Sequence, residues 1–90
     1  MKRVAILGAN GQVGIEVSLR LRAVEGIEVV PIARNVSGSA FLRSNGMECR
    51  HGRISDFAVA RSLIGDCDVV VNLALSNTAI PRADLSLIHI

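Results

Sequence analysis

The chain has 90 residues, half of them apolar, and ten basic against eight acidic side chains give a net charge of +2. That length allows one small domain at most, burying only about 60–65% of its unfolded surface. Dispersed arginines, only two aromatic residues (Phe41 and Phe57) and apolar runs shorter than about 18 residues exclude a nucleic-acid footprint and a helical membrane span.

In chain order, Arg3 to Leu7 reads as a buried strand that stops at Gly8. Val13, Val17, Leu21 and Val24 recur at helical spacing with Glu16 and Arg20 opposite. They predict an amphipathic helix over about 12–25, closed by Gly26. Residues 27–33 form a second, β-branched strand, although Pro31 removes one ladder donor. Residues 37–45 read as a weaker helix ending at Gly46, and 47–51 as a short third strand. Ser55 or Asp56 caps a third helix that runs through Leu63 and Ile64 to Gly65. Residues 68–74 hold the most apolar strand, Val69-Val70-Val71-Asn72-Leu73, and from Thr78 to Ile90 a fourth helix is predicted to begin.

Strands alternating with helices predict an α/β, doubly wound parallel sheet, in which right-handed crossovers place the first four strands in the order 3-2-1-4. The chain carries more apolar sequence than so small a domain can cover. The whole of 1–90 is therefore expected to be the N-terminal portion of one larger domain, or a short protein completed by dimerisation. With no strand beyond it, 68–75 would be an open apolar edge, and self-association is expected there.

Gly8, Gly11 and Gly14 are spaced G-x-x-G-x-x-G between the first strand and the first helix. Gly8 suits the tight turn out of the strand, Gly11 leaves room for phosphate oxygens, and Gly14 lets the helix lie close to the strand. Unpaired amides and the positive end of the helix dipole then favour a pyrophosphate. The alternative is a glycine-rich turn that merely packs. In NAD-binding proteins an acidic residue follows the glycines by about 20 positions and binds the adenosine ribose. Here Arg34 stands twenty positions after Gly14 and no carboxylate is near. A guanidinium suits the 2′-phosphate of NADP, with hydrogen bonds from Asn35 and Ser37. The alternative is that Arg34 is a solvated loop residue and NAD is accepted as readily. Asp56 is either a cap or a partner for the adenine amino group, and the two roles are compatible. Small apolar residues at the end of the fourth strand, Leu73 and Ala74, would let the adenosine half pass over the sheet, while Asn72 reads as structural.

Together Gly8-Ala9-Asn10-Gly11-Gln12-Val13-Gly14, Arg34, Gly52-Arg53-Ile54-Ser55-Asp56 and Val70-Val71-Asn72-Leu73-Ala74 resemble the short-chain dehydrogenase/reductase superfamily. The resemblance is to its extended and atypical branches, the NAD-dependent epimerase/dehydratase group. It implies a Rossmann fold, and it implies that Gly8, Asn10, Gly11, Gln12 and Val13 line the pyrophosphate. By the same resemblance Arg34 contacts the 2′-phosphate, Ile54 and Asp56 the adenine, and Leu73 and Ala74 the adenosine ribose. The group's enzymes work through a Tyr-x-x-x-Lys pair with a nearby Ser or Thr, the tyrosine acting as general acid/base. These residues contain no tyrosine, and their only lysine is Lys2.

Other chemistries fit less well. Cys49 and His51 fall short of the four ligands of a structural zinc site, and no framed serine, histidine and acid arrangement occurs. Cys49 and Cys67 read as small, reduced core residues, consistent with a cytoplasmic protein. The sequence thus points to an NADP-preferring nucleotide-binding segment of a reductase or sugar-nucleotide epimerase/dehydratase. Its small-molecule substrate would be held by other residues, with homo-oligomerisation, no nucleic acid and no membrane expected. A non-catalytic, NAD(P)-sensing regulatory protein of the same fold is the alternative.

Overall fold

The centre of the sheet is β1 (Lys2–Leu7), whose Val4, Ala5, Ile6 and Leu7 are all buried. In this computed structural model, which describes residues 1–53, 57–73 and 86–89, five parallel strands lie in the order β3-β2-β1-β4-β5. β2 spans Ile27–Ala33, β3 Arg50–His51, β4 Val69–Asn72 and β5 Ser86–His89. Helix α1 (Gln12–Leu21) joins β1 to β2. A 3-10 turn (Ser37–Ser39) and α2 (Ala40–Ser44) lead towards β3, and α3 (Phe57–Ile64) links β3 to β4. The expected 3-2-1-4 order of the first four strands is present.

Strand alternation divides the core in two. Ala5, Leu7, Val30, Ile32 and Val70 face one way, against Ile64 and Cys67. Val4, Ile6 and Val71 face the other, with Ala9, Leu42 and the half-buried side chains of α1. Apolar residues on both faces are why the strands read as unbroken runs rather than alternating ones. Pro31 is tolerated for a geometric reason. Lys2 N–H donates to Gly26 O and Ala9 N–H to Ile32 O, so even-numbered groups of β2 turn towards β1. The proline nitrogen therefore faces β3, whose pairing begins only at Ile32–Arg50. No ladder bond to β1 is lost.

Several expectations are corrected. The sequence predicts a helix up to Ile90, but Ser86–His89 pairs with β4 as a parallel strand, Val69 opposite Ser86 and Asn72 opposite His89. Consequently β4 is an interior strand and not the open edge expected of 68–75. β3 is shorter than 47–51, and the weak helix is split into a 3-10 turn and one short α-helix. Helix α1 ends at Leu21, four residues before the expected close. Gly26, at φ +85°, instead turns the chain into β2. Of the predicted stripe, Val17 and Leu21 pack against the core, but neither forms the deepest face of α1. Gly14 and Ser18 are buried, whereas Val13 is 57% and Val24 46% exposed. The small residues win because the helix lies so close to the sheet that a larger side chain would not fit beneath it.

Candidate nucleotide site at the carboxyl edge

Each glycine of the first loop has a different reason to be there. Gly8 lies at φ +77°, a backbone region that favours glycine. A Cβ on Gly14 would fall 2.3 Å from Gly8 O and 2.7 Å from Ala9 Cα, so this glycine is required by packing. Gly11 has neither constraint. Its φ is −77°, and the nearest atom to a Cβ there is Gly8 O at 3.5 Å, an ordinary contact. The protein itself does not need a glycine at position 11, whereas a ligand approaching the loop backbone would.

The loop is shaped by Gly11 N–H donating to Gly8 O at 3.1 Å, and α1 begins with Ile15 N–H donating to Gly11 O at 2.9 Å. Gly11 caps the helix without a side-chain hydrogen bond. The amides of Gln12, Val13 and Gly14 therefore have no acceptor among the described residues. Three such donors at the positive end of a helix form a seat for an anion. Gly11's own amide is used within the turn, so the open donors are the ones that follow it.

Beside this loop, at the end of β2, lies the segment carrying Arg34. Asn35 Oδ1 accepts from Ser37 Oγ at 2.9 Å and from Gly38 N–H at 2.8 Å, which winds the chain into the 3-10 turn. That carboxamide oxygen is thus committed to its own loop. Gly38 sits against Asn10, since a Cβ there would lie 3.3 Å from Asn10 Cβ. The glycine loop and the loop after β2 therefore form one continuous surface. Behind it Ser39 is buried, with its Oγ 2.6 Å from His51 Nε2 and accepting from Arg43 Nε at 3.0 Å. On the other flank of β1, Leu73 N–H donates to Leu7 O at 3.0 Å, which holds the half-buried Leu73 beside Gly8. Gly8, Asn10, Gly11, Gln12, Val13, Gly14, Arg34, Asn35 and Leu73 thus share the carboxyl edge of the sheet, where open α/β sheets bind ligands. Ile54, Asp56 and Ala74 lie outside the described residues, as does the expected cap at Ser55.

Charge is distributed unequally between the two edges. At the amino edge Arg3 pairs with Glu28 (2.6 Å) and Asp66 (2.7 Å), and Arg50 grips both oxygens of Asp66 at 2.6 and 2.8 Å. The Arg50 guanidinium holds the Asp66 carboxyl well below the usual carboxylate range. At the carboxyl edge no described residue pairs with Arg34. Neither cysteine is poised as a nucleophile. Burial pushes the Cys67 thiol up to about 11, aided by Asp66, and burial also raises that of Cys49. Among the described residues no cluster of three His, Cys, Asp or Glu side chains could hold a metal ion. A cleft of about 450 Å³ opens between the start of β2 and residues 46–50, where β3 has not yet joined β2. It lies at the amino edge, away from the glycine loop.

Sequence reasoning did not single out Arg53. It is exposed, immediately follows Gly52 at the end of β3, and has no hydrogen-bond or ion-pair partner among the described residues. The signal was available in its position next to Arg34 in a 3-2-1-4 sheet.

A parallel sheet with helical crossovers, opened at its carboxyl edge by a glycine loop and a helix N-terminus, defines an α/β protein of the Rossmann type. No helix among the described residues is long and apolar enough to cross a membrane. The chain belongs to the NAD dependent epimerase/dehydratase family, whose model matches residues 4–86, and is thereby a member of an NAD(P)-binding enzyme family. No curated protein matches it.

Proposed function

We propose that the chain binds NADP in preference to NAD, as the N-terminal nucleotide-binding segment of a reductase or sugar-nucleotide epimerase/dehydratase-like enzyme. The observation that carries this reading is Gly11, a glycine required by neither backbone angle nor packing, set before three unpaired amides. The amides of Gln12, Val13 and Gly14 would hold the pyrophosphate, with Asn10 beside them. Arg34 would take the 2′-phosphate, because a guanidinium without a carboxylate partner gains most from a dianion. Leu73 would lie under the adenosine half, with Ile54, Asp56 and Ala74 completing that pocket. When bound, the dinucleotide supplies hydride transfer at its nicotinamide.

Calorimetric titration with both dinucleotides, before and after Arg34→Ala, tests this reading. NADP is expected to bind about tenfold or more tightly than NAD, and the substitution to remove most of that difference. Equal affinities in the unsubstituted chain, or an unchanged ratio in the variant, would contradict it.

A further inference from the structure

We infer that Arg53 is a second cationic arm of the nucleotide site, closing on the ribose 2′-phosphate from β3 while Arg34 holds it from β2. The inference rests on the NADP reading above and adds a specificity-determining residue to it. Three observations support it independently of the glycine loop.

The first is a contrast among the arginines. Arg3, Arg20 and Arg50 are ion-paired, Arg22 donates to Asn45 O, and Arg43 donates to Ser39 Oγ and Val36 O. Arg34, Arg53 and Arg61 have no partner among the described residues; Arg61 lies on α3, whereas Arg34 and Arg53 both stand at the carboxyl ends of neighbouring strands. The second is the placement of the acids. Among the described residues Glu25, Glu28, Glu48, Asp66 and Asp68 sit at the amino edge, and Glu16 pairs with Arg20 on α1. No described carboxylate pairs with either guanidinium group. The third is how firmly their backbones are held together. Ala33 pairs with His51 in register, and Gly52 N–H donates to Ala33 O at 3.1 Å. Gly52 is also pressed onto α3, where a Cβ would fall 2.9 Å from Leu63 Cδ1. By that register Arg34 stands opposite Gly52 and Arg53 follows one residue further along, on chains about one strand spacing apart, roughly 4.8 Å.

A phosphate monoester carries three acceptor oxygens and close to two negative charges, more than one planar guanidinium satisfies. A second arm takes what the first leaves. A plain ribose diol gives neither cation an anion to neutralise, so the pair favours NADP over NAD by what it gains from the phosphate.

The test is calorimetric titration of the whole chain with 2′,5′-ADP and with 5′-AMP, using the unsubstituted protein, Arg53→Ala, Arg53→Lys and Arg34→Ala. Arg53→Ala is expected to weaken 2′,5′-ADP about tenfold or more while changing 5′-AMP less than about twofold. Arg53→Lys should restore part of the loss, since it returns the charge without the fork. Equal weakening of both nucleotides would overturn the inference, because Arg53 would then serve the adenine or the 5′-phosphate. No change with either nucleotide would overturn it too, and an effect of Arg34→Ala in that same experiment would leave the NADP reading standing. If neither nucleotide binds the unsubstituted chain, both fall together.

Discussion

Gly11 and Gly14 stand three positions apart, yet substitution should affect them in opposite ways. Gly14→Ala drives a Cβ into the backbone of Gly8 and Ala9. It should cost about 1–3 kcal/mol of stability or more, seen as a lowered midpoint in urea denaturation. At Gly11 a Cβ meets only Gly8 O, at an ordinary distance, so Gly11→Val has no backbone clash of that kind. It should therefore leave the denaturation midpoint within about 1 kcal/mol of the parent's stability while abolishing dinucleotide binding. A Gly11→Val chain that folds and binds normally would remove the phosphate-loop assignment. The separate tasks of these glycines were legible because the strand before and the helix after them confine the loop. Asn35 was legible only as a residue near the site. Its engagement by Ser37 and Gly38 depends on a local turn that composition does not reveal. Arg53 could have been found from the expected 3-2-1-4 order, which sets the end of β3 beside the end of β2.

At the scale of elements, Asp66 joins three strands by taking Arg50 at the start of β3 and Arg3, which also reaches Glu28 of β2. Its folded-state pKa lies below the ordinary carboxylate value near 4. The linkage is therefore favourable above that ordinary value, and it is lost as pH falls through the folded one. Thermal melts from pH 7 downwards should show stability declining below about pH 4, with a shallower decline in Asp66→Asn. Because the carboxylate is half exposed, its removal should cost no more than about 1 kcal/mol at pH 7. Identical acid limbs in the two proteins would contradict this role. Strand order and crossovers were legible from the alternation of apolar runs with helical spacing. The face of α1 was only half legible: Val17 and Leu21 of the expected stripe do meet the core, but the deepest positions are Gly14 and Ser18. Close approach to the sheet decides between them, and that is a tertiary effect. β5 was missed because Leu85, Leu87, Ile88 and Ile90 suit a buried strand or the end of a helix equally well.

In the molecule as a whole, the sheet separates structure from candidate function. Ion pairs fasten its amino edge, and amides and arginines without partners among the described residues occupy its carboxyl edge. With β5 in place, β4 lies between two parallel neighbours, so hydrogen exchange should find the amides of Val69–Asn72 among the best protected. Rapid exchange there would mean that β4 lacks its second partner in solution. The central claim is that a dinucleotide enters at the glycine loop, and residue-resolved amide NMR during titration with NADP tests it most directly. Shifts are predicted for residues 9–14 and 34–38, with little change at Gly26, Glu28 and Asp66. Shifts confined to residues 46–50 around the amino-edge cleft, or none at saturating NADP, would contradict the account.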